Sequence, residues 1–171
     1  MSEACTTNNR RVQRHRFGIF AGLLALMVLP FSVALADDAP QVLKIDVGSF
    51  YFQLAGQEQN APIHLKTGVD YEIQLHNADS MLHEVQIGRD PGTKDGHPHD
   101  YQTPLLGGVE WKIETSDTKV EGETLTEIEL QPGATASIFF NLPASAAGTW
   151  EMGCFQPGHY EDGMHAPVIV E

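Results

Sequence analysis

The stretch TASIFFNLPASAAGTWEMGCFQPGHYEDGMHAPVIVE, Thr135 to Glu171, carries both the pattern of the fold and its chemistry. Ile138, Phe140 and Leu142 alternate with Ser137, Phe139 and Asn141, and Trp150, Met152 and Cys154 share one side of the next segment. Val168 and Val170 repeat the period at the end of the chain. A period of two is that of strands with one face in a core. Between the last two strands, Cys154, His159 and Met164 fall at even five-residue steps around a Pro157-Gly158 turn.

The same period runs back toward the start. Leu43, Ile45 and Val47 share a face, as do Ile63 and Leu65, and Tyr71, Ile73 and Leu75 alternate with Glu72, Gln74 and His76. Turn residues at Thr67-Gly68 and Gln131-Pro132-Gly133 mark where alternation stops. This is the pattern of an all-β sandwich or barrel. Residues 89–123 depart from it, being rich in Gly, Asp, Thr and His, with one weak strand candidate around Val109 to Ile113. That stretch is expected to be a long irregular insertion.

At the N-terminus Arg10, Arg11, Arg14 and Arg16 precede an apolar run from Phe17 to about Phe31, then Ala34-Leu35-Ala36. The run is shorter than the roughly 20 residues that a spanning helix needs. Residues 1–36 are therefore expected to be a signal peptide cleaved after Ala36, leaving one domain over 37–171, exported to the periplasm. Four of the 10 basic residues and one of the 23 acidic residues lie in the leader, so the mature chain carries a net charge of about −16. Such a surface excludes nucleic acid and anionic membranes as partners and favours cationic ones.

Cys5 leaves with the leader, so Cys154 has no disulfide partner within the mature chain. An isolated thiol in an oxidising compartment is a liability unless it is buried, paired with another chain, catalytic or bound to metal. In His83-Glu84-Val85-Gln86-Ile87 the imidazole shares the face of Val85 and Ile87, and Cys154 shares that of Trp150 and Met152. If the two strands are neighbours, His83 and Cys154 meet at one pole. A thiolate, two imidazoles and a weak axial thioether form the ligand set of an electron-transfer copper site, and His83, Cys154, His159 and Met164 supply it. Met152 reads as core, and His165 as either solvent-facing or a neighbour of the ligands. His97 and His99, beside Asp95 and Asp100, read as either a second copper or zinc site or a solvated loop. His64 and His76 have no identifiable partner.

Over Val42 to Val170 the chain resembles the cupredoxins, the small blue copper proteins, through HNADSMLHEVQIG around the first ligand and QPGATASIFFNLPASAAGTWEMGC before the second. The Cys-x4-His-x4-Met spacing is similar to that of the rusticyanin branch. The resemblance implies an antiparallel Greek-key β-sandwich, with the long insertion added, and one copper ion held by His83, Cys154, His159 and Met164. Many members have Asn or Ser after the first ligand, where this chain has Glu84, which implies altered hydrogen bonding around the sulfur.

Enzymatic activity is not expected. Gly153 and Phe155 flank the cysteine where multicopper oxidases have histidines, and the two-copper centre of respiratory oxidases needs a second cysteine. The expected function is a monomeric one-electron carrier, free of the membrane once cleaved, whose redox partner is a cationic protein such as a basic c-type cytochrome. The alternative is a periplasmic copper-binding protein for tolerance, sequestration or delivery.

Overall fold

A computed structural model describes residues 39–116 and 119–171; the expected signal peptide and its cleavage point lie outside the described residues. One sheet runs in order through β2 (Tyr51–Leu54), β1 (Gln41–Gly48), β4 (Asp70–Asn77), β10 (Thr135–Asn141), β7 (Leu106–Glu114) and β8 (Lys119–Leu125). The other runs through β3 (Ile63–Leu65), β12 (His165–Val170), β11 (Gly148–Gly153), β5 (His83–Lys94) and β6 (His97–Pro104), and β9 (Ile128–Leu130) pairs with the start of β5. A single 3-10 turn at Ala144–Ala146 interrupts the strands, and there is no α-helix among the described residues.

The alternating segments pack as their period requires. Ile45, Val47, Tyr71, Ile73, Leu75, Ile138 and Phe140 of the first sheet share one core with Val85, Met152, Ala166, Val168 and Val170 of the second. Met152 is fully buried in that core, and Ile63 and Leu65 join it from β3.

Both sheets are mixed rather than purely antiparallel. After β2 the chain crosses to the second sheet for β3 and returns as β4, which therefore lies parallel to β1, with Leu43 opposite Ile73. β12 lies parallel to β3 in the same way, with Val168 opposite Ile63. A parallel pair needs such a crossover, whereas an antiparallel one can close with a tight turn.

Residues 89–123, expected as an irregular insertion, are largely strand. They complete β5, form β6 and β7, and begin β8. The end of β5 and the start of β6 are mostly exposed, so their side chains carry no inward-outward alternation although the backbones pair from Gly88–Pro104 to Lys94–His97. Patterned burial is what makes a strand legible, and this hairpin extends past the core.

Candidate metal centre

The pole of the sandwich is built by three strand ends and one loop. β11 pairs with β5, Gly153 opposite Gln86, so Cys154 emerges beside the start of the strand that His83 opens. The strands are the neighbours that the sequence reading required. From Cys154 the chain turns at Pro157-Gly158, where the His159 amide donates to the Gln156 carbonyl at 2.9 Å and Gly158 has φ +84°. Proline followed by glycine at positive φ is a type II turn. Gly163, at φ +93°, bends the chain again before Met164. The Met164 amide donates to the His159 carbonyl at 2.9 Å, and the Cys154 amide donates to the Met164 carbonyl at 3.2 Å. Asn60, from the loop after β2, holds the Gly163 carbonyl at 3.1 Å. The loop is thus closed on itself and fastened to the first sheet's side.

The side chains converge. His83 Nδ1 lies 4.0 Å and His159 Nδ1 3.3 Å from Cys154 Sγ, and the three residues' ligand atoms all fall within 4.8 Å of one another. The two rings tilt at 51° with centroids 5.0 Å apart. His83, Cys154 and Met164 are fully buried, while His159 is partly exposed and packs T-shaped with the Phe50 ring, the centroids 5.3 Å apart. Met164 therefore enters the assembly through a buried side chain and two backbone bonds to the other loop residues.

The tautomer of His83 follows from its partner. Its Nε2 lies 3.1 Å from Asp79 Oδ2, and a carboxylate can only accept, so Nε2 carries the proton and the lone pair of Nδ1 faces the sulfur. Asp79 is itself fixed by the Ser49 hydroxyl at 2.6 Å and the Ser80 amide at 2.5 Å. The Ser49 bond, then the His83 bond, hold its carboxyl well below the usual carboxylate range. Asn77 anchors the same turn by donating to the carbonyls of Met81 and Leu130 and accepting from the Asp79 amide. Sequence reasoning passed over Asp79. Its signal was a carboxylate four residues before a ligand histidine, which becomes legible only when the turn between them is known.

Glu84 behaves differently from its sequence position. Its backbone amide donates to Cys154 Sγ at 3.4 Å, so a donor to sulfur is kept after the first ligand. Its side chain points away, accepting from Gln86 and, at 3.4 Å, from Gln156. Burial, against the Gln86 bond and with Glu127 adding repulsion, pushes this carboxyl up to about 7.

The pocket disfavours charge in the absence of a cation. Burial pushes the Cys154 thiol up, partly offset by the amides of Glu84 and Gln156, and burial followed by His83 pushes His159 down. An imidazole binds a metal through a ring-nitrogen lone pair, and the thiol must release its proton to do so. A soft or borderline cation fits this donor set; a hard oxygen-seeking one does not.

Behind the loop, the residues that follow its three sequence-predicted ligands form a stack. Phe155 and Tyr160 lie face to face at 5.0 Å, and Tyr160 and His165 at 4.8 Å. Glu151 collects the Tyr101 hydroxyl at 2.8 Å, the Tyr160 hydroxyl at 2.6 Å and His165 Nδ1 at 3.1 Å. His165 is thus a brace for the ligand loop. His76 pairs with Asp46 at 3.0 Å on the surface, well apart in sequence from the loop. His97 and His99 stand on the β5–β6 hairpin, outside the buried cluster.

No family model matches the chain, and no curated protein does. Solved structures match its fold. Reduced auracyanin from Roseiflexus castenholzii is 18% identical, covers 78% of this chain and 99% of its own, and has a TM-score of 0.48. Reduced rusticyanin is 17% identical over 78% and 82% of the two chains, with a TM-score of 0.45. A multicopper oxidase from Aquifex aeolicus is 16% identical over 78% of this chain, with a TM-score of 0.53, and the matched part is 30% of that enzyme. The likeness to the oxidase carries the weight, and at such identity it is one of fold. Two mixed sheets packed face to face, with the His83, Cys154 and His159 cluster at one pole, have the cupredoxin fold.

Proposed function

We propose that the chain is an exported, mononuclear type 1 copper protein that carries single electrons. The observation that carries this reading is the buried thiol set between the Nδ1 atoms of two histidines, all within 4.8 Å, on a loop closed through Met164. Copper, when bound, supplies one-electron exchange between Cu(I) and Cu(II). The chain's residues supply the rest. His83, Cys154 and His159 are the strong donors and Met164 the weak one. Asp79 orients His83, and the Glu84 amide steadies negative charge on the sulfur. Backbone bonds across the loop hold the donors in place, so little rearrangement accompanies a change of charge. His159 is the ligand nearest solvent, and its ring edge beside Phe50 is the way out for the electron.

On this reading the mature chain, cleaved after Ala36, is a periplasmic monomer without enzymatic activity. Its net charge of about −16 suits a basic c-type cytochrome as partner. The test is stopped-flow reduction by such a cytochrome across a salt series. Steering over about 8 Å at physiological ionic strength predicts a rate that falls steeply as salt is added. A rate that stays flat or rises supports the second reading, copper tolerance by sequestration or delivery, which the histidines of the β5–β6 hairpin favour.

A further inference from the structure

The tip of the β5–β6 hairpin carries ligands that the buried centre does not use. Lys94 and His97 pair across the Asp95-Gly96 turn, and the tip reaches the ligand loop, where His97 Nδ1 lies 3.1 Å from Glu161 Oε1. His99 is the unpaired residue where the β5–β6 register shifts by one, between the Pro98–Thr93 and Asp100–Gly92 pairs, and it lines the same cleft as His97. Further along β6, Tyr101 packs its ring on Phe155 of the loop at 4.9 Å, and Phe155 is itself part of the cleft wall. Hairpin and loop enclose a cleft of about 660 Å³ whose walls include Asp95, His97, His99, Glu161 and Asp162. Two imidazoles and three carboxylates thus face one space, with Lys94 as the cation on its wall.

We propose that this cleft is a second, external metal site for Zn(II) or Cu(II), held by His97, His99 and Glu161, with Asp95 and Asp162 adding negative charge. Imidazole nitrogen and carboxylate oxygen each bind such ions at about 2.0–2.2 Å, which places two donors of a tetrahedral site about 3.3 Å apart. The His97–Glu161 contact already has nearly that separation, so an ion can replace the shared proton without movement of the backbone. His97 and His99 are exposed, and side-chain rotation brings the second imidazole to the same ion. Among the described residues only the buried cluster has three such donor atoms within 4.8 Å of one another, so the external site needs the rotation of His99 to complete it. Because Glu161 lies two residues beyond His159, an ion here ties the hairpin to the buried centre's own loop. None of these ligands belongs to that centre, so the site stands or falls apart from the copper reading.

The experiment is calorimetric titration of the copper-loaded mature protein with Zn(II), repeated with Cys154→Ser so that a failure of the buried centre does not obscure the result. Both proteins are expected to take up one Zn(II). His97→Ala, His99→Ala and Glu161→Gln should each weaken that binding at least tenfold, while His64→Ala leaves it unchanged. With Cu(II) as probe, Cys154→Ser should show one nitrogen-coordinated signal without intense visible absorption, lost in the His97→Ala/His99→Ala double variant. Absence of a Zn(II) equivalent in both proteins, or Zn(II) binding to the copper-loaded protein that survives the double variant, overturns the proposal.

Discussion

Asp79→Asn tests how the protein disposes its first ligand. The carboxylate accepts from the Ser49 hydroxyl, His83, the Ser80 amide and, at 3.4 Å, the Ser80 hydroxyl, and its side chain is 12% exposed. An amide placed in the same pocket keeps one oxygen. If that oxygen stays with His83 and Ser49, the amide nitrogen faces the Ser80 amide donor; if it turns, His83 loses its acceptor. Either arrangement removes the negative charge behind the ligand and loosens the ring. Partners of metal-bound histidines are worth 10–100-fold in affinity, and an amide that still accepts one bond puts the loss near about tenfold. A negative charge favours Cu(II) over Cu(I), so the loss falls mainly on Cu(II), and tenfold for one electron raises the potential by about 60 mV. Chelator competition measures the affinity and spectroelectrochemical titration the potential. Ser49→Ala should shift both in the same direction by less. A folded Asp79→Asn protein with unaltered affinity and potential would refute the assignment of Asp79 as the group that orients His83.

Three other substitutions probe the loop and its brace. Tyr101→Phe removes the hydroxyl bond to Glu151 while Tyr160 and His165 remain, and should cost about 1.5 kcal/mol in urea unfolding at neutral pH. Burial, then Glu151, pushes the Tyr101 hydroxyl upward, so its stabilising contribution is present below the unfolded value near 10 and is lost as pH rises above it. The variant should therefore lose less stability than the parent between pH 9 and 11. Gly163→Ala forces a side chain into a left-handed backbone at φ +93°, which should cost about 1–2 kcal/mol and speed copper release to a chelator. Met164→Leu keeps the buried volume but deletes the weak thioether donor, so the protein should retain copper at a higher potential. Loss of copper with no shift in the remaining holoprotein would contradict that role.

The strands around Ile45, Ile73, Ile138, Met152 and Val168 were legible because each buries one face in a shared core, which writes a period of two into the sequence. The β5–β6 hairpin was not, because its backbone pairs while most of its side chains meet solvent. Among the candidate ligands, the convergence of His83 with Cys154 followed from strand ends facing one core, and the Pro157-Gly158 turn explained the return of His159. Glu84 and Gln86 broke the alternation by being buried opposite the core face, where their amide and carboxyl groups satisfy one another and Gln156. Asp79, Asn77 and the Glu151 brace were invisible, since each acts across 4 to 53 residues through a polar contact that no local pattern encodes.

The central claim is that Cys154 and the two imidazoles hold one copper ion. Its most direct test is the visible and electron paramagnetic resonance spectrum of the mature protein loaded with one equivalent of Cu(II), beside Cys154→Ser treated alike. The account predicts an intense thiolate-to-copper band that bleaches on reduction and is absent from the variant. A wild-type spectrum without that band, or one that Cys154→Ser reproduces, would contradict it.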